Sequence, residues 1–331
     1  MTVYKTIKCL SLLVTVIALQ GWVGRYEDLV ILSSPPGWAS QNGGTVGGGN
    51  VSPISISTLE EFQALVATSE PKTIILTSTI GNGVETKIKV GSNKTIIGLK
   101  GVILRGSFYL KDVSNVIIRN LKIEGPGAID VNGSDCITID NSTNIWLDHL
   151  DVYDGQDGNV DIVNGSNYIT VSWCKFYYTS ASVNHKLSSL IGNSDEKISD
   201  RGKLKTTLIY NWWAEEVESR MPRVRFGQVH VVNNLYTSTG NDYCILAGTE
   251  ADLRVEYNIF KNVNEPINLS KNTFTAVEVL ENRFINVKGN ISGNGKAFTP
   301  PYKVEIIPLD YLEEIIQKHA GATISDVQSL L

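Results

Sequence analysis

The sequence predicts an all-β fold, a right-handed parallel β-helix (solenoid) with short terminal capping helices. Three observations lead there. One strand pattern recurs at near-constant spacing, an Asn and an aromatic residue recur at fixed places within it, and helix-start patterns flank the repeats. The clearest copies are VHVVNNLY from Val229, LRVEYNIF from Leu253 and VEVLENRF from Val277, each 24 residues after the last. The same frame extends back through TLIYNWW, ITVSWCKF, IWLDHLDV and VIIRNLKI. It puts Ile118, Leu147, Val171, Leu208, Val231, Val255 and Val279 at one position. Phe176, Trp213, Tyr236, Phe260 and Phe284 take a second, and Asn211, Asn234, Asn258 and Asn282 a third.

Short, β-branched, alternating strands at this spacing cannot bury a face singly. Coiled so that like stacks on like, they share one continuous core. The Asn column is expected to sit in the left-handed conformation at a tight corner, its amides hydrogen-bonding from coil to coil. The aromatic column is expected to stack in offset fashion along the axis. A β-sandwich would instead carry hairpin dipeptides between its strands. Thr58 and Glu61 form a capping box before FQALV, which predicts a helix over the first coil. Asp310 opens YLEEIIQKHA and Gly321 closes it, which predicts a second helix plugging the other end. The Gly-rich stretch from Pro35 to Asn50 reads as a coil lying along the outside.

The chain has 331 residues, 42% of them apolar, enough for a sizeable core. Residues 1–24 read as a signal peptide, with Lys5 and Lys8 ahead of an apolar run from Cys9 to Leu19; residues 25–331 read as a single solenoid domain, secreted and monomeric. No other stretch is apolar enough to cross a membrane. The net charge of −5 argues against nucleic acid as a partner, because phosphate binding needs a cationic face. After cleavage Cys136, Cys174 and Cys244 remain, an odd number that cannot form a closed disulfide framework. The seven Asn-x-Ser/Thr sequons are glycan acceptors only in a eukaryotic secretory route.

One interval breaks the period. Val171 to Leu208 spans 37 residues, longer than a coil requires, and an excursion on a regular scaffold is where binding residues gather. It contains His185, Lys186 and LIGNSDEKISDRGK. Two clusters of charge stand out nearby. Asp135 lies in GSDCITID, and Asp157 and Asp161 lie in DGQDGNVDI. Coils stack about 4.8 Å apart, so these carboxylates become neighbours and repel unless a cation such as Ca²⁺ sits among them. Taken alone, the same spacing also suits solvated loop aspartates. The second cluster is RMPRVRFG, where Arg223 and Arg225 alternate onto one face and Arg220 enters ahead of Pro222. A surface salt-bridge patch is the competing reading of that run.

WLDH at Trp146–His149, DGNVDI at Asp157–Ile162, LIGNSD at Leu190–Asp195 and RMPRVRFG at Arg220–Gly227 resemble the signature runs of the family 1 pectate lyases, in the family's order. GWASQNGGTVGG near the N-terminus is similar too, and the likeness covers roughly Gly37 to Thr323. The resemblance implies a secreted, calcium-dependent enzyme that cleaves polygalacturonate by β-elimination. It implies that Asp135, Asp157 and Asp161 hold Ca²⁺, that Arg220 is the Brønsted base, and that Lys186 and Arg225 bind the substrate carboxylate. Lys186 stands one residue further from LIG than in the commonest pattern. For Trp146, Asp148 and His149 a structural role is expected. Related readings are a pectin lyase, in which the metal carboxylates are typically not retained, and a polygalacturonase, which needs a Gly-His-Gly turn that this sequence lacks. A catalytically dead pectin-binding solenoid would lack Arg220 or the aspartates; both are present.

Overall fold

The computed structural model describes Tyr26 and residues 29–83, 86–129, 133–269 and 272–331. The expected signal peptide, residues 1–24, lies outside the described residues. Successive coils each deliver a strand to three parallel sheets, the architecture of a parallel β-helix. The first sheet has ten strands, from Ile54–Ile56 to Ala276–Leu280. The second has eight, from Ile103–Arg105 to Arg283–Ile285, and the third eight, from Lys87–Lys89 to Ile267–Asn268. The expected register holds throughout: Ile118, Leu147, Val171, Leu208, Val231, Val255 and Val279 are direct partners in series. All but the last are part of one buried apolar column that runs from Ile56 to Val277, and Val279 packs against it partly buried.

The aromatic column stacks as expected, with successive ring centroids from Phe176 to Phe284 separated by 5.4, 4.6, 4.3 and 5.2 Å. The Asn column forms a ladder. Asn211 Nδ2 donates to Asn234 Oδ1 at 3.0 Å, Asn234 to Asn258 at 3.0 Å, and Asn258 to Asn282 at 2.9 Å. Each accepting oxygen also takes a backbone N–H at 2.8 Å. The backbone conformation differs from the expectation, because the left-handed residue is the one before each Asn. Tyr210, Asn233, Tyr257 and Glu281 have φ between 50 and 58°. The first corner residue absorbs the turn, which leaves the following Asn free to point inward with its amide along the axis. Asn258→Ala is expected to strand the Asn234 donors that meet its Oδ1, while Asn282 Oδ1 keeps the backbone N–H of residue 258, at about 1–3 kcal/mol. Thermal melting should fall while kcat per folded molecule holds, and unchanged melting would refute the ladder's role.

Both predicted helices form, but only one sits on an end. Leu59–Val66 is capped by Thr58, whose Oγ1 accepts from Glu61 N, and buries Phe62 edge-on against Phe108 of an early coil. The C-terminal helix, Leu309–His319, lies instead on the flank. Its buried stripe of Leu312, Ile315 and Ile316 packs on the outward-facing Trp173, Ile209, Tyr210, Val232, Leu235 and Ile259. That corner between the first and second sheets is apolar and needs a cover. The last strand of the first sheet is met by another segment, as Val277 and Asn294 exchange two backbone hydrogen bonds of 2.8 Å in antiparallel fashion. Beyond the helix the tail runs back along the solenoid to Asn120, which bonds both the amide and the carbonyl of Ile324 at 3.0 and 2.9 Å.

The Gly-rich N-terminal stretch does lie along the outside, over the first sheet. Its amides at Trp38, Ala39 and Gly48 each donate to a threonine hydroxyl of that sheet at 3.0 Å. Gly37 shows why the stretch avoids side chains: a Cβ there would stand 2.4 Å from Thr207 Oγ1. Cys136, Cys174 and Cys244 are free and buried. No helix among the described residues is long and apolar enough to cross a membrane. The long interval proves to be two excursions, residues 178–188 and 192–205, on either side of the regular strand Ser189–Ile191. Both border the third sheet.

Candidate active site

Along the outer face of the third sheet, Thr138, Asp161, Leu190, Arg223 and Leu246 are partners in one row. The strand period of two points Asp161 outward, while its neighbours Val160 and Ile162 enter the core. Asp135 stands just ahead of the strand Ile137–Asp140, and its Oδ2 accepts from Thr138 Oγ1 at 2.8 Å. Asp161 Oδ1 accepts from the Leu190 amide at 3.2 Å. The two carboxylates converge over Gly158, where a Cβ would lie 3.2 Å from Asp135 Oδ1 and 3.4 Å from Asp161 Oδ1. Each residue is only 8% exposed, and Asp135 Oδ1 is buried with no hydrogen-bond partner.

Burial pushes the Asp135 carboxyl up to about 6, with the charge of Asp157 adding to the rise; the Thr138 bond and the Arg220 charge oppose it. Asp161 is held well above the usual carboxylate range, first by burial and then by the charge of Asp135. A close acidic pair with an unsatisfied buried oxygen suits a hard divalent cation taking oxygen ligands. The expected third carboxylate is not brought into the pair. Asp157 is 42% exposed, and its Oδ1 stands 2.9 Å from His185 Nε2. No three His, Cys, Asp or Glu side chains among the described residues converge as a metal cluster.

The arginine run borders the same face. Arg220 precedes the strand Arg223–Val224 with φ at 58°, the left-handed conformation that corner residues of the solenoid such as Tyr210 and Tyr257 also adopt. Its carbonyl accepts from Ser189 N at 2.6 Å, and its guanidinium is close enough to lower both Asp135 and Asp161. Arg223 and Arg225 share the outer face, as alternation predicts, with Val224 between them in the core. Arg223 Nε is buried without a partner, and burial together with the Arg225 charge lowers its pKa. Arg225 is tied down: Nε donates to Asp195 Oδ1 at 2.5 Å and Nη1 to the Gly192 carbonyl at 2.7 Å. Lys186 is engaged elsewhere, its Nζ 2.7 Å from Glu216 Oε2 and its amide 3.2 Å from Glu218 Oε2. The structure thus joins Asp135, Asp161 and Arg220 in one electrostatic cluster, sets Asp157 beside it, and pairs Lys186 with glutamate.

A family profile described as pectate lyase matches residues 11–299. This chain belongs to the pectate lyase family. It is 34% identical over 306 residues to the probable pectate lyase B of Aspergillus terreus, covering 88% of this chain and 87% of that one. It is 40% identical over 202 residues to a pectate trisaccharide-lyase of Thermotoga maritima, covering 59% of this chain and 53% of that one. Among solved structures, a pectate lyase from Bacillus sp. N165 in complex with trigalacturonate superimposes with a TM-score of 0.74 at 28% identity, covering 87% of this chain and 98% of that one. The chain is a polysaccharide lyase.

The lyase's WLDH run is structural, as expected. Asp148 is fully buried and binds Arg119 Nε at 2.9 Å, Ser172 Oγ at 2.6 Å and His149 Nδ1 at 2.9 Å. Burial alone would raise its pKa, but His149 and Arg119 hold it below the usual range. Trp146 Nε1 donates to the same Ser172 hydroxyl, under the Arg119 guanidinium. The network lies on the first sheet, away from the carboxylate pair. Sequence reasoning gave no role to Asp195, which holds Arg225, to His185, which holds Asp157, or to Glu216. Asp195 carried a usable signal, since it ends one of the lyase signature runs and is an acid near an arginine-rich strand.

Proposed function

We propose that the lyase is secreted and calcium-dependent, and that it cleaves α-1,4-polygalacturonate by β-elimination to 4,5-unsaturated oligogalacturonates. The observation that carries this is the buried Asp135–Asp161 pair, with its unsatisfied oxygen, standing in the field of Arg220. The names of the relatives supply the substrate class, and the apolar run behind Lys5 and Lys8 supplies the export signal. The site lies on one chain's own sheet, which suits a monomer.

Asp135 and Asp161, joined by Asp157, would hold Ca²⁺. An ion held there would supply positive charge against a uronate carboxylate and so make the adjacent C5–H more acidic. Arg220 in its neutral form accepts the C5 proton as general base; the C–H electron pair becomes the C4=C5 double bond, and the C4–O bond breaks with its pair going to the glycosidic oxygen. That oxygen takes a proton from water, and the hydroxide so formed takes up the proton held on Arg220. An arginine base implies an alkaline optimum, since a free guanidinium stays protonated through the ordinary pH range. Arg225 would present its guanidinium to the carboxylate in an orientation fixed by Asp195 and Gly192. Lys186 joins it by parting from Glu216. Positive charge so placed stabilises the enolate-like anion where it develops.

Incubation with polygalacturonate should produce ultraviolet absorbance of the unsaturated product, and exhaustive chelation should abolish it until calcium is restored. Full turnover on methyl-esterified pectin after chelation would overturn the calcium reading in favour of a pectin lyase.

A further inference from the structure

We propose that His185 competes with the bound cation for Asp157, so that the third carboxylate joins the site only when the metal draws it off the imidazole. The inference rests on the calcium reading above. Two of the three carboxylates are fixed in place: Asp135 and Asp161 are buried, each takes a hydrogen bond from the strand row, and both converge over Gly158. Asp157 is built differently. Its side chain is 42% exposed, and one of its oxygens is taken by His185 Nε2 at 2.9 Å. An ionised carboxylate only accepts, so the imidazole is the donor. With that bond made, no three metal-ligating side chains among the described residues converge. Yet Asp157 is near enough for its charge to act on both members of the pair.

The backbone that carries the imidazole is anchored. The residues ahead of it, Val183 and Asn184, donate their amides to the Ala128 carbonyl at 3.0 and 3.2 Å, and the His185 carbonyl accepts from Leu187 N at 2.9 Å. His185 itself sits at φ 52°. The Asp157 side chain, short and half in solvent, can change rotamer without disturbing the core. Cation binding by all three carboxylates therefore gives up a hydrogen bond to a charged acceptor. For a partly exposed pair that loss corresponds to about a 5- to 10-fold weakening of affinity.

The test is calorimetric titration of calcium chloride alone into the full chain at one fixed alkaline pH. His185→Ala is expected to bind calcium about 5- to 10-fold tighter than wild type. His185→Gln, which keeps a donor on a side chain of similar reach, is expected to stay near wild type. In an Asp157→Asn background, His185→Ala should no longer change the affinity, a coupling that a general structural role for His185 would not produce. Should the alanine variant fail to fold by circular dichroism, His185→Asn, whose amide is too short to reach Asp157, carries the same expectation. Unchanged or weaker binding by a folded His185→Ala variant overturns the proposal and makes His185 a support that orients Asp157. A wild-type protein that takes up no calcium removes the calcium reading together with this inference; calcium uptake without tightening removes this inference alone.

Discussion

Arg220→Lys is expected to fold like the parent, to keep its calcium affinity, and to lose at least about 10²-fold in kcat on polygalacturonate. Lysine preserves the charge that faces Asp135 and Asp161, so the electrostatic balance of the pair is kept. What changes is the planar fork and the position of the nitrogen, and at a base that must meet one C–H bond those decide the rate. The backbone there is at φ 58°, which the lysine must also adopt, so circular dichroism and calcium titration accompany the kinetics. Arg225→Lys should behave differently. It loses the contacts to Asp195 and Gly192 that fix its direction, and substrate binding should weaken along with turnover. Near-parental kcat for Arg220→Lys across the alkaline range would mean that another group removes the proton, with Lys186 the first to test.

Asp161→Asn should move two quantities in opposite directions. Its calcium requirement should rise by about 100-fold, because a charged oxygen ligand becomes a neutral one. The metal-free protein should at the same time become more stable at neutral and alkaline pH. The sign follows from the raised pKa of Asp161: folding favours its protonated form, so its ionisation destabilises the folded chain increasingly as pH rises above the ordinary carboxylate value. Asn never ionises and removes that cost, while its Oδ1 can still accept from Leu190 N. Melting of the metal-free proteins against pH, beside calcium titration of both, reads the two effects. For wild type, calcium affinity should fall as pH drops through about 6, where Asp135 takes up its proton. A variant that melts below wild type without metal would show that Asp161 holds the sheet together instead of serving a ligand.

The fold was legible because it repeats. Seven copies of one strand carry the same apolar column, and the strand partners follow that column residue for residue. The corner geometry was less legible. An Asn in the repeat points equally to left-handed backbone or to a side-chain ladder, and here Tyr210 and Glu281 take the turn while the Asn residues make the ladder. The apolar stripe of Leu312, Ile315 and Ile316 showed that the C-terminal helix packs on something; which surface it covers depends on Tyr210, Leu235 and Ile259 facing outward, and no local pattern states that. Within the site, motif position located Asp135, Asp161 and Arg220. Side-chain partners such as His185 for Asp157 and Glu216 for Lys186 lie 28 and 30 residues apart and involve the 178–188 excursion, which departs from the repeat, so spacing arguments do not reach them.

The C-terminal tail changes how such a molecule comes apart. A stack in which each coil touches only its neighbours can fray from either end, one rung at a time. Here the chain that leaves the last coil returns to Ile97, Lys100 and Asn120 near the beginning, where Ile324 and Leu330 are buried and Ser325 meets the Lys100 ammonium at 3.1 Å. The two ends are thereby tethered to each other, and melting the final coils pulls on a clasp at the initial ones. Loss of structure at the two extremities becomes a single cooperative event. The carboxylate pair and the arginines, midway along, are held in a closed loop of contacts instead of an open row.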